Sequence, residues 1–424
     1  MSIPSYFKLK GDTVVWVIFF SLCIISLVEV FSAGSSLAYK EGGNFWNHFI
    51  RHGIFLAIGA ITCVAVHNIP CNYFKYVPFF GWPLAVGLLF AVWVMGIVTN
   101  GAARWLTIAG VKFQPSEFAK GALIITVALI LSKFQRNDGA DKVTMKFVLW
   151  LTIPIVLLIF TENFSTGVLL FLVVYIMMYI GRVSMKQLGK LALVGVAFAG
   201  LFSIMLFTMP KDSEASLYKA PVVGKVLHRF PVWRERILSN DMQMVACPDS
   251  FVVTDENRQK VHARIAVATC NRGIGKMPGN SVERDFLSQA YSDFIYAIIV
   301  EECGIWGAAI VVLLYLILLY RAGLIASKCG KNFPAFVVMG LGIMMVAQAV
   351  LNMMVAVGLF PVTGQTLPMI SRGGTSIIIT CMYFGIILSI SRYAQARQKQ
   401  ADKNVIEDPA DAIAVHHTES DEIQ

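Results

Sequence analysis

The chain has 424 residues, of which 57% are apolar and only 14% are charged. Soluble globular proteins carry about 25% charged residues, so this composition, with a mean hydropathy of +0.67, excludes a water-soluble enzyme of ordinary surface. In a soluble chain the net charge of +9 would suggest nucleic-acid binding, but no Lys/Arg-rich stretch here is interleaved with aromatic residues. We therefore expect a membrane protein without a nucleic-acid partner.

Ten predominantly apolar segments approach or exceed the length of about 20 residues that a bilayer span requires. In chain order they cover residues 14–33, 50–68, 78–98, 115–134, 147–160, 165–181, 191–208, 293–320, 333–357 and 373–391. The sequence therefore predicts an all-α polytopic membrane protein of about ten transmembrane helices. Residues 1–13 form its N-terminus, residues 14–393 the membrane domain, and residues 394–424 a polar, acidic tail expected to be disordered.

The distribution of Lys and Arg predicts how this membrane domain is oriented. If both termini are cytoplasmic, the inner segments hold 17 cations and the short outer loops hold five. Cytoplasmic loops carry the excess of positive charge in membrane proteins. Both termini are therefore expected in the cytoplasm. The long loop 209–292, between the seventh and eighth helices, is expected to be extracytoplasmic.

The fourth span opens with two charged residues, Glu117 and Lys120, just after Pro115. Each charge at membrane depth costs on the order of 3 kcal/mol, so each needs a reason. Glu117 and Lys120 are three residues apart and lie on one helix face, where they can pair. The spacing alone leaves two interpretations open: a neutralising structural pair, or a cation held near an anionic substrate.

Asp293 opens the eighth span close to the predicted outer surface. The structural interpretation is an N-cap carboxylate. The functional interpretation is a general base facing an outer cavity. Glu301 and Glu302 lie two turns deeper, where no cap explains them, and a structural tie to a neighbouring helix is the role we expect.

An irregular stretch, residues 358–376, separates the last two spans and contains two prolines and four glycines, which forbid a regular helix. Irregular backbone at membrane depth is tolerated only where it lines a cavity or is buried in protein. Its backbone N–H groups, with the side chains of Ser371, Arg372, Thr375 and Ser376, are candidates to receive an anion at the start of the last helix.

The cysteines predict little chemistry. No Cys/His cluster has the spacing of a zinc site. Cys247 and Cys270 lie in the long loop, where a disulfide can form if the loop faces an oxidising compartment.

Three motifs in order give the sequence a family resemblance. They are Gln-Pro-Ser-Glu at 114–117, Asp-Phe-Ile-Tyr-Ala with Glu-Glu-Cys-Gly at 293–304, and Pro-Val-Thr-Gly, Leu-Pro and Ser-Arg-Gly-Gly-Thr-Ser within 361–376. Together they resemble the SEDS family, the shape, elongation, division and sporulation proteins of the FtsW/RodA type. Arg104-Trp105 and the glycines at 273, 275 and 279 also match, and the resemblance covers roughly residues 14–393.

The sequence departs from the family pattern at four places. Tyr291-Ser292 replaces a usual His-Thr before the aspartate, and Ser288-Gln289 replaces a usual Leu-Pro. The family's Pro-Asp-Leu-Gly-Thr between spans five and six reads Glu-Asn-Phe-Ser-Thr at 162–166, and Arg372 stands where an aromatic residue is common. These changes bear on substrate handling more than on activity.

The resemblance implies a peptidoglycan glycosyltransferase that polymerises lipid II on the outer face of the bacterial cytoplasmic membrane. It implies a class B penicillin-binding protein as transpeptidase partner, together with other divisome membrane proteins and membrane lipid. The long loop and charged tail look more like the division-type members than the elongation-type members, which implies action at the division septum.

The reaction needs a base for the incoming sugar hydroxyl and cations for the departing diphosphate. An α-linked donor that gives a β-linked glycan implies a single inversion, so one carboxylate suffices. Within the resemblance, Asp293 is expected to be that base. The residues expected to bind substrate are Arg104, Lys112, Glu117, Lys120, Ser371, Arg372, Thr375 and Ser376. A divalent cation, Mg²⁺ or Mn²⁺, could assist, although no dense carboxylate cluster announces a site.

Two other classes of function remain open. A lipid II flippase or ion-coupled transporter would use the same intramembrane charges as a translocation path, and a non-catalytic divisome scaffold would need only surfaces for its partners. The unusual polar residues cluster toward the predicted outside, which favours outward-facing catalysis.

Overall fold

The computed structural model describes residues 10–33, 45–95, 97–99, 102–108, 111–137, 139–208, 253, 257–270, 273–287 and 289–407. Within these ranges every predicted span is a helix. They are α1 (Thr13–Ala33), α2 (Phe45–Asn68), α3 (Val77–Met95), α4 (Pro115–Lys133), α5 (Thr144–Glu162), α6 (Phe164–Ile180) and α7 (Met185–Thr208), followed, after a short loop helix α8 (Arg258–Ala268), by α9 (Ile295–Ser327), α10 (Asn332–Ala356) and α11 (Thr375–Glu407).

In the described part of the chain, nine helices are long and apolar enough to cross a membrane, and α6 is a shorter apolar helix of 17 residues. The chain is an all-α polytopic membrane protein. The predicted separation of the fifth and sixth spans is confirmed, because Asn163 is extended (φ −153°) and ends α5 one residue before α6 begins.

Helices α4, α10 and α11 form the interior of the membrane domain. In the apolar windows of α4 and α11, 78% of the residues are buried, and 67% in α10, whereas only 6% are buried in α7. Helix α4 packs against α3 and α10, α9 packs against α10, and α2 lies along α11. The motif at the start of α4 therefore lies in one of the most enclosed helices, and α9 packs against another, α10.

A small antiparallel sheet, which the sequence analysis did not anticipate, connects α3 to α4. Its strands are β1 (Ile97–Thr99), β2 (Ala102–Ile108) and β3 (Val111–Phe113), in the order β1-β2-β3. The third span was predicted to reach residue 98, but helix α3 ends at Met95 and the chain turns into β1. A second, two-stranded hairpin joins β4 (Gln135–Arg136) to β5 (Gly139–Ala140).

Two predictions concern regions that the structure describes only in part. Residues 394–407 continue helix α11 and residues 408–424 lie outside the described residues, so the expected disorder of the tail stays a prediction. Cys247 also lies outside them, so the disulfide with Cys270 stays a prediction.

Candidate active site

Asp293 lies just outside the start of α9. That helix begins at Ile295, and its N-cap residue is Phe294, whose side chain makes no capping hydrogen bond, so Asp293 is not the N-cap residue. The half-buried side chain of Asp293 instead accepts a hydrogen bond from the Ser292 hydroxyl (3.0 Å to Oδ1). Its backbone carbonyl accepts one from the Asn352 amide (2.8 Å), which fixes the residue against α10.

The Asp293 carboxylate and the Arg104 guanidinium meet at Gly364. A Cβ atom built on Gly364 would lie 3.6 Å from Asp293 Oδ2 and 3.0 Å from Arg104 Nη1. Gly364 has φ +65°, a conformation that favours glycine. Only a residue without a side chain therefore leaves this space open. The Asp293 carboxylate and the Arg104 guanidinium, which come from two distant parts of the sequence, both border it.

Arg104 reaches this point from strand β2. Its Nε donates to the carbonyl of Glu162 (3.2 Å), the last residue of α5. The carbonyl end of a helix carries partial negative charge, so it favours a cation there. The sheet and the end of α5 together direct the remaining guanidinium nitrogens toward Gly364.

Polar side chains of α10 hold the irregular segment 357–374 in place. Asn352 donates to the carbonyl of Gln365 (2.6 Å) as well as to Asp293, and Gln348 donates to the carbonyl of Thr366 (3.1 Å). From α6, Thr166 accepts a hydrogen bond from the Gln365 amide (2.8 Å). These contacts satisfy backbone carbonyls that no helix provides for, as an irregular segment at membrane depth requires.

Glu117 and Lys120 form the predicted pair, with Lys120 Nζ 2.7 Å from Glu117 Oε1. Lys120 is fully buried, and its ammonium also donates to Gln348 Oε1 (2.6 Å). Because Gln348 also donates to the carbonyl of Thr366, the pair is connected through Gln348 to the irregular segment and helps to fix it. The pairing is confirmed, and contact of Lys120 with a substrate anion stays a prediction.

The candidates near the start of α11 are engaged within the protein. Ser371 donates to the carbonyl of Ser292 (2.5 Å), so it ties the segment to the residue preceding Asp293. Thr375 donates to the carbonyl of Lys112 (3.1 Å), and Ser376 to that of Gly373 (2.9 Å).

Two cations border the same region. Arg372 is half-buried, with its guanidinium 5.3 Å from the centre of the Tyr291 ring and 3.0 Å from His48 Nδ1. Lys112 is exposed on β3. Of the predicted substrate-binding cations, Arg104 is the one that the structure brings directly to Asp293, and Arg372 lies beside the preceding residue, Tyr291.

Helix α9 is broken at Gly304 (φ 69°, ψ −168°), and the preceding loop fills the break. The backbone N–H groups of Lys276 and Met277 donate to the carbonyls of Glu301 (2.9 Å) and Glu302 (2.8 Å). Gly275 makes the closest approach, since a Cβ built there would lie 2.3 Å from the Glu302 carbonyl oxygen. The loop therefore replaces hydrogen bonds that the helix loses at its break, eleven residues after Asp293.

The side chains of Glu301 and Glu302 complete this attachment. Lys276 Nζ lies 2.7 Å from Glu301 Oε1, and the Ser281 hydroxyl donates to the other Glu301 oxygen. Glu302 accepts from the hydroxyl of Ser32 on α1 and from the backbone N–H of Ser281 (3.3 Å). The predicted structural tie is confirmed, and it joins α9 to both α1 and the loop.

Sequence reasoning missed Gln348 and Asn352, the two α10 residues that hold the segment. A signal existed, because they are the polar residues of an otherwise apolar span and lie four apart, on one helix face. The role of Gly364 had no such signal, since its importance depends on two side chains that come from distant parts of the chain.

A metal centre of protein ligands alone is not formed within the described ranges, where no three His, Cys, Asp or Glu side chains are grouped to hold an ion. The divalent cation, Mg²⁺ or Mn²⁺, that could assist the reaction stays a prediction.

Comparison with known proteins gives a match to the FtsW/RodA/SpoVE family, described as cell cycle proteins, over residues 12–396. The probable peptidoglycan glycosyltransferase FtsW of Halomonas elongata is 28% identical over 394 residues, covering 90% of this chain and 91% of that protein. The protein of the same name from Saccharophagus degradans is 30% identical over 383 residues, covering 87% and 89%.

Two solved structures share the fold. One, described as the structural coordination of polymerization and crosslinking by a peptidoglycan synthase complex, aligns with a TM-score of 0.65 at 22% identity, over 91% of this chain and 98% of that one. The other, the rod shape determining protein RodA of Thermus thermophilus, aligns with a TM-score of 0.59 at 20% identity, over 92% and 98%. The arrangement of the membrane helices is therefore one already seen in these proteins.

Proposed function

We propose that this chain, which belongs to the FtsW/RodA/SpoVE family of cell cycle proteins, is a peptidoglycan glycosyltransferase that polymerises lipid II on the outer face of the cytoplasmic membrane. The observation that carries the proposal is the approach of the Asp293 carboxylate and the Arg104 guanidinium at Gly364. The names of the full-length relatives from Halomonas elongata and Saccharophagus degradans support the same activity.

Asp293 is the general base in this proposal. The sugar hydroxyl of the acceptor gives its proton to an Asp293 oxygen while its oxygen attacks the anomeric carbon of the donor. The bond from that carbon to the diphosphate breaks, and the electron pair leaves with the polyprenyl diphosphate. A single displacement inverts the anomeric centre, so the protein forms no covalent intermediate. The Ser292 hydroxyl, donating to Oδ1, orients the carboxylate, and Oδ2 lies on the Gly364 side, where it would accept the proton.

Arg104 stabilises the leaving diphosphate. A guanidinium is always charged and presents donors in a planar fork that matches phosphate oxygens. The bond from Nε to the Glu162 carbonyl fixes its plane. Because Nη1 faces the space at Gly364, charge that develops on the diphosphate would meet a donor placed in advance.

The other predicted residues act around this pair. Arg372, beside Tyr291, and the exposed Lys112 extend the cationic surface for the rest of the diphosphate. Lys120 and Glu117 are positioning residues, because Lys120 bonds Gln348, which holds the irregular segment.

The partner and the cellular role follow from the relatives. The similar synthase-complex structure couples polymerization to crosslinking, which supports a class B penicillin-binding protein as the transpeptidase partner of this chain. The name FtsW of the relatives supports a place among the other divisome membrane proteins at the division septum.

The test is polymerisation of labelled lipid II by the purified chain in complex with its cognate transpeptidase. Asp293→Asn preserves size and hydrogen-bonding capacity but removes the proton acceptor. Loss of a positioned base typically costs about 10²–10⁴ in rate, so we expect almost no polymer, with complex formation unchanged. Asp285→Asn makes the same chemical change on a 59% exposed side chain of the loop and is the matched control.

The alternatives predict different results in this assay. A flippase would move lipid II across vesicle membranes and form no polymer with any variant, and a scaffold would do neither. Wild-type levels of polymer from Asp293→Asn would contradict the assignment of the base, and absence of polymer from the wild-type complex would contradict the activity.

A further inference from the structure

A cavity of about 370 Å³ opens at the end of the molecule opposite to Asp293 along α11. Residues from three parts of the chain line it: the segment before α1, the turn between α2 and α3, and α11. They are Lys10, Pro70, Cys71, Asn72, Ser389, Arg392, Tyr393 and Ala396. None of these residues takes part in the site proposed for glycan synthesis.

The cavity lies where membrane-spanning segments end. Lys10 lies three residues before the start of α1 at Thr13, Asn68 is the last residue of α2, and Arg392 follows the last apolar stretch of α11. Tyr73 and Tyr76, in the adjoining 3-10 helix Cys71–Tyr76, have exposed rings, and exposed aromatic residues mark the level of lipid headgroups. By the charge distribution of the sequence, this surface is the predicted cytoplasmic one.

The lining is cationic. Lys10 and Arg392 contribute positive charge, and among the described residues no acidic side chain lines the cavity. Asp12, the acidic residue nearest to Lys10 in the sequence, is paired with Arg321. Arg392 donates from Nη2 to the carbonyl of Asn68 (3.2 Å), which fixes one side of the guanidinium and leaves its other nitrogens available as donors.

Neutral donors complete a site suited to phosphate. Asn72 and Tyr393 add an amide and a phenol to the lining, and Ser389 is held by its bond to the carbonyl of Ile69 (2.5 Å). Lys331 Nζ lies 6.0 Å from the centre of the Tyr393 ring, so a third cation borders the site.

We propose that this cavity binds the phosphate headgroup of an anionic phospholipid from the cytoplasmic leaflet. Basic pockets between transmembrane helices on that side are suited to such headgroups. A lipid fits better than a soluble phosphate because apolar surface adjoins the cations: Pro70, Cys71 and Ala396 line the cavity, and the side chains of Phe79 and Phe80 nearby on α3 are exposed. The acyl chains would lie on that apolar surface.

Lipid retention on the full-length purified protein tests the proposal. The protein is incubated with phosphatidylglycerol or with phosphatidylcholine of the same acyl chains, and bound lipid is counted by native mass spectrometry. A basic residue near a membrane surface is worth about fivefold in affinity for anionic lipid. We expect Lys10→Gln to weaken phosphatidylglycerol retention by about fivefold and the double variant with Arg392→Gln by roughly 30-fold, with little change for phosphatidylcholine.

Controls separate the site from general charge and from folding. Lys186→Gln removes an exposed cation from the same predicted membrane side, away from the cavity, and should retain lipid as the wild type does. Arg392→Lys keeps the charge and should bind more lipid than Arg392→Gln even though both lose the fixed guanidinium.

Three outcomes would overturn the proposal. One is equal phosphatidylglycerol retention by the wild type and the double variant, and another is an equal loss in Lys186→Gln. The third is inorganic phosphate at millimolar concentration displacing the lipid completely, which would identify the ligand as a soluble anion.

Discussion

Replacing Gly304 by Ala would break the junction between α9 and the loop. A Cβ atom at residue 304 would lie 2.1 Å from the carbonyl oxygen of Gly273 and 2.6 Å from the carbonyl carbon of Ile274. Both are backbone atoms, so the loop itself must move. The combination of φ 69° and ψ −168° is essentially restricted to glycine and adds strain of about 1–3 kcal/mol for a residue with a side chain.

The displaced loop loses the two backbone hydrogen bonds from Lys276 and Met277. Each such bond contributes about 1 kcal/mol net, so the whole change should weaken attachment of the loop by roughly 3–5 kcal/mol. Because α9 carries Asp293 at its start, we also expect slower polymerisation of lipid II in the complex with the transpeptidase.

Limited proteolysis of the loop and the thermal midpoint of the purified protein measure this effect. Gly323→Ala is the matched control in the same helix, because no atom lies within 4 Å of a Cβ built there. Ala is the better helix former, so this variant should be as stable as the wild type or slightly more so. Equal proteolysis and equal activity of Gly304→Ala and Gly323→Ala would refute the junction.

Three further predictions address topology, the buried pair and the guanidinium. A reporter in loop 209–292 should be extracytoplasmic and one after Arg397 cytoplasmic, and finding both on one side would contradict ten spans. Lys120→Met should lower the folded amount in the membrane, since it strands the Glu117 charge at a cost of about 3–5 kcal/mol. Adding Glu117→Gln should restore that amount, and full recovery of polymerisation in the double variant would make the pair purely structural. Arg104→Lys keeps the charge but loses the fork and the Nε bond to the Glu162 carbonyl, so we expect a lower kcat in steady-state polymerisation, and an unchanged kcat would remove Arg104 from the leaving-group step.

The spans and the pairing of charges could be predicted because they depend on local sequence. A bilayer fixes the length of an apolar helix, and residues three apart share a helix face, as Glu117 and Lys120 do. The break between the fifth and sixth helices was equally local, since it lies at the polar Asn163.

The approach of Asp293 and Arg104 could not be predicted from spacing. They are 189 residues apart in the sequence. Their meeting depends on Gly364 in a third segment, on a sheet without a strong sequence signal, and on the end of α5. The motif resemblance named the same residues but gave no geometry. Contacts between distant segments leave no periodic pattern in the sequence, so they cannot be predicted in the way that contacts along one helix can.

Few of the polar residues around Asp293 face the open space at Gly364. Lys120 is fully buried, Ser371 bonds the carbonyl of Ser292, and Asn352 holds both the Asp293 carbonyl and the irregular segment. Polar side chains are costly at membrane depth. The presence of several of them around Asp293 therefore indicates that the backbone they bond must be held in one position. That backbone carries the Asp293 carboxylate, which precedes α9 and is oriented by the Ser292 hydroxyl. The proposed chemistry therefore depends on two groups, while the surrounding polar side chains hold those groups in position.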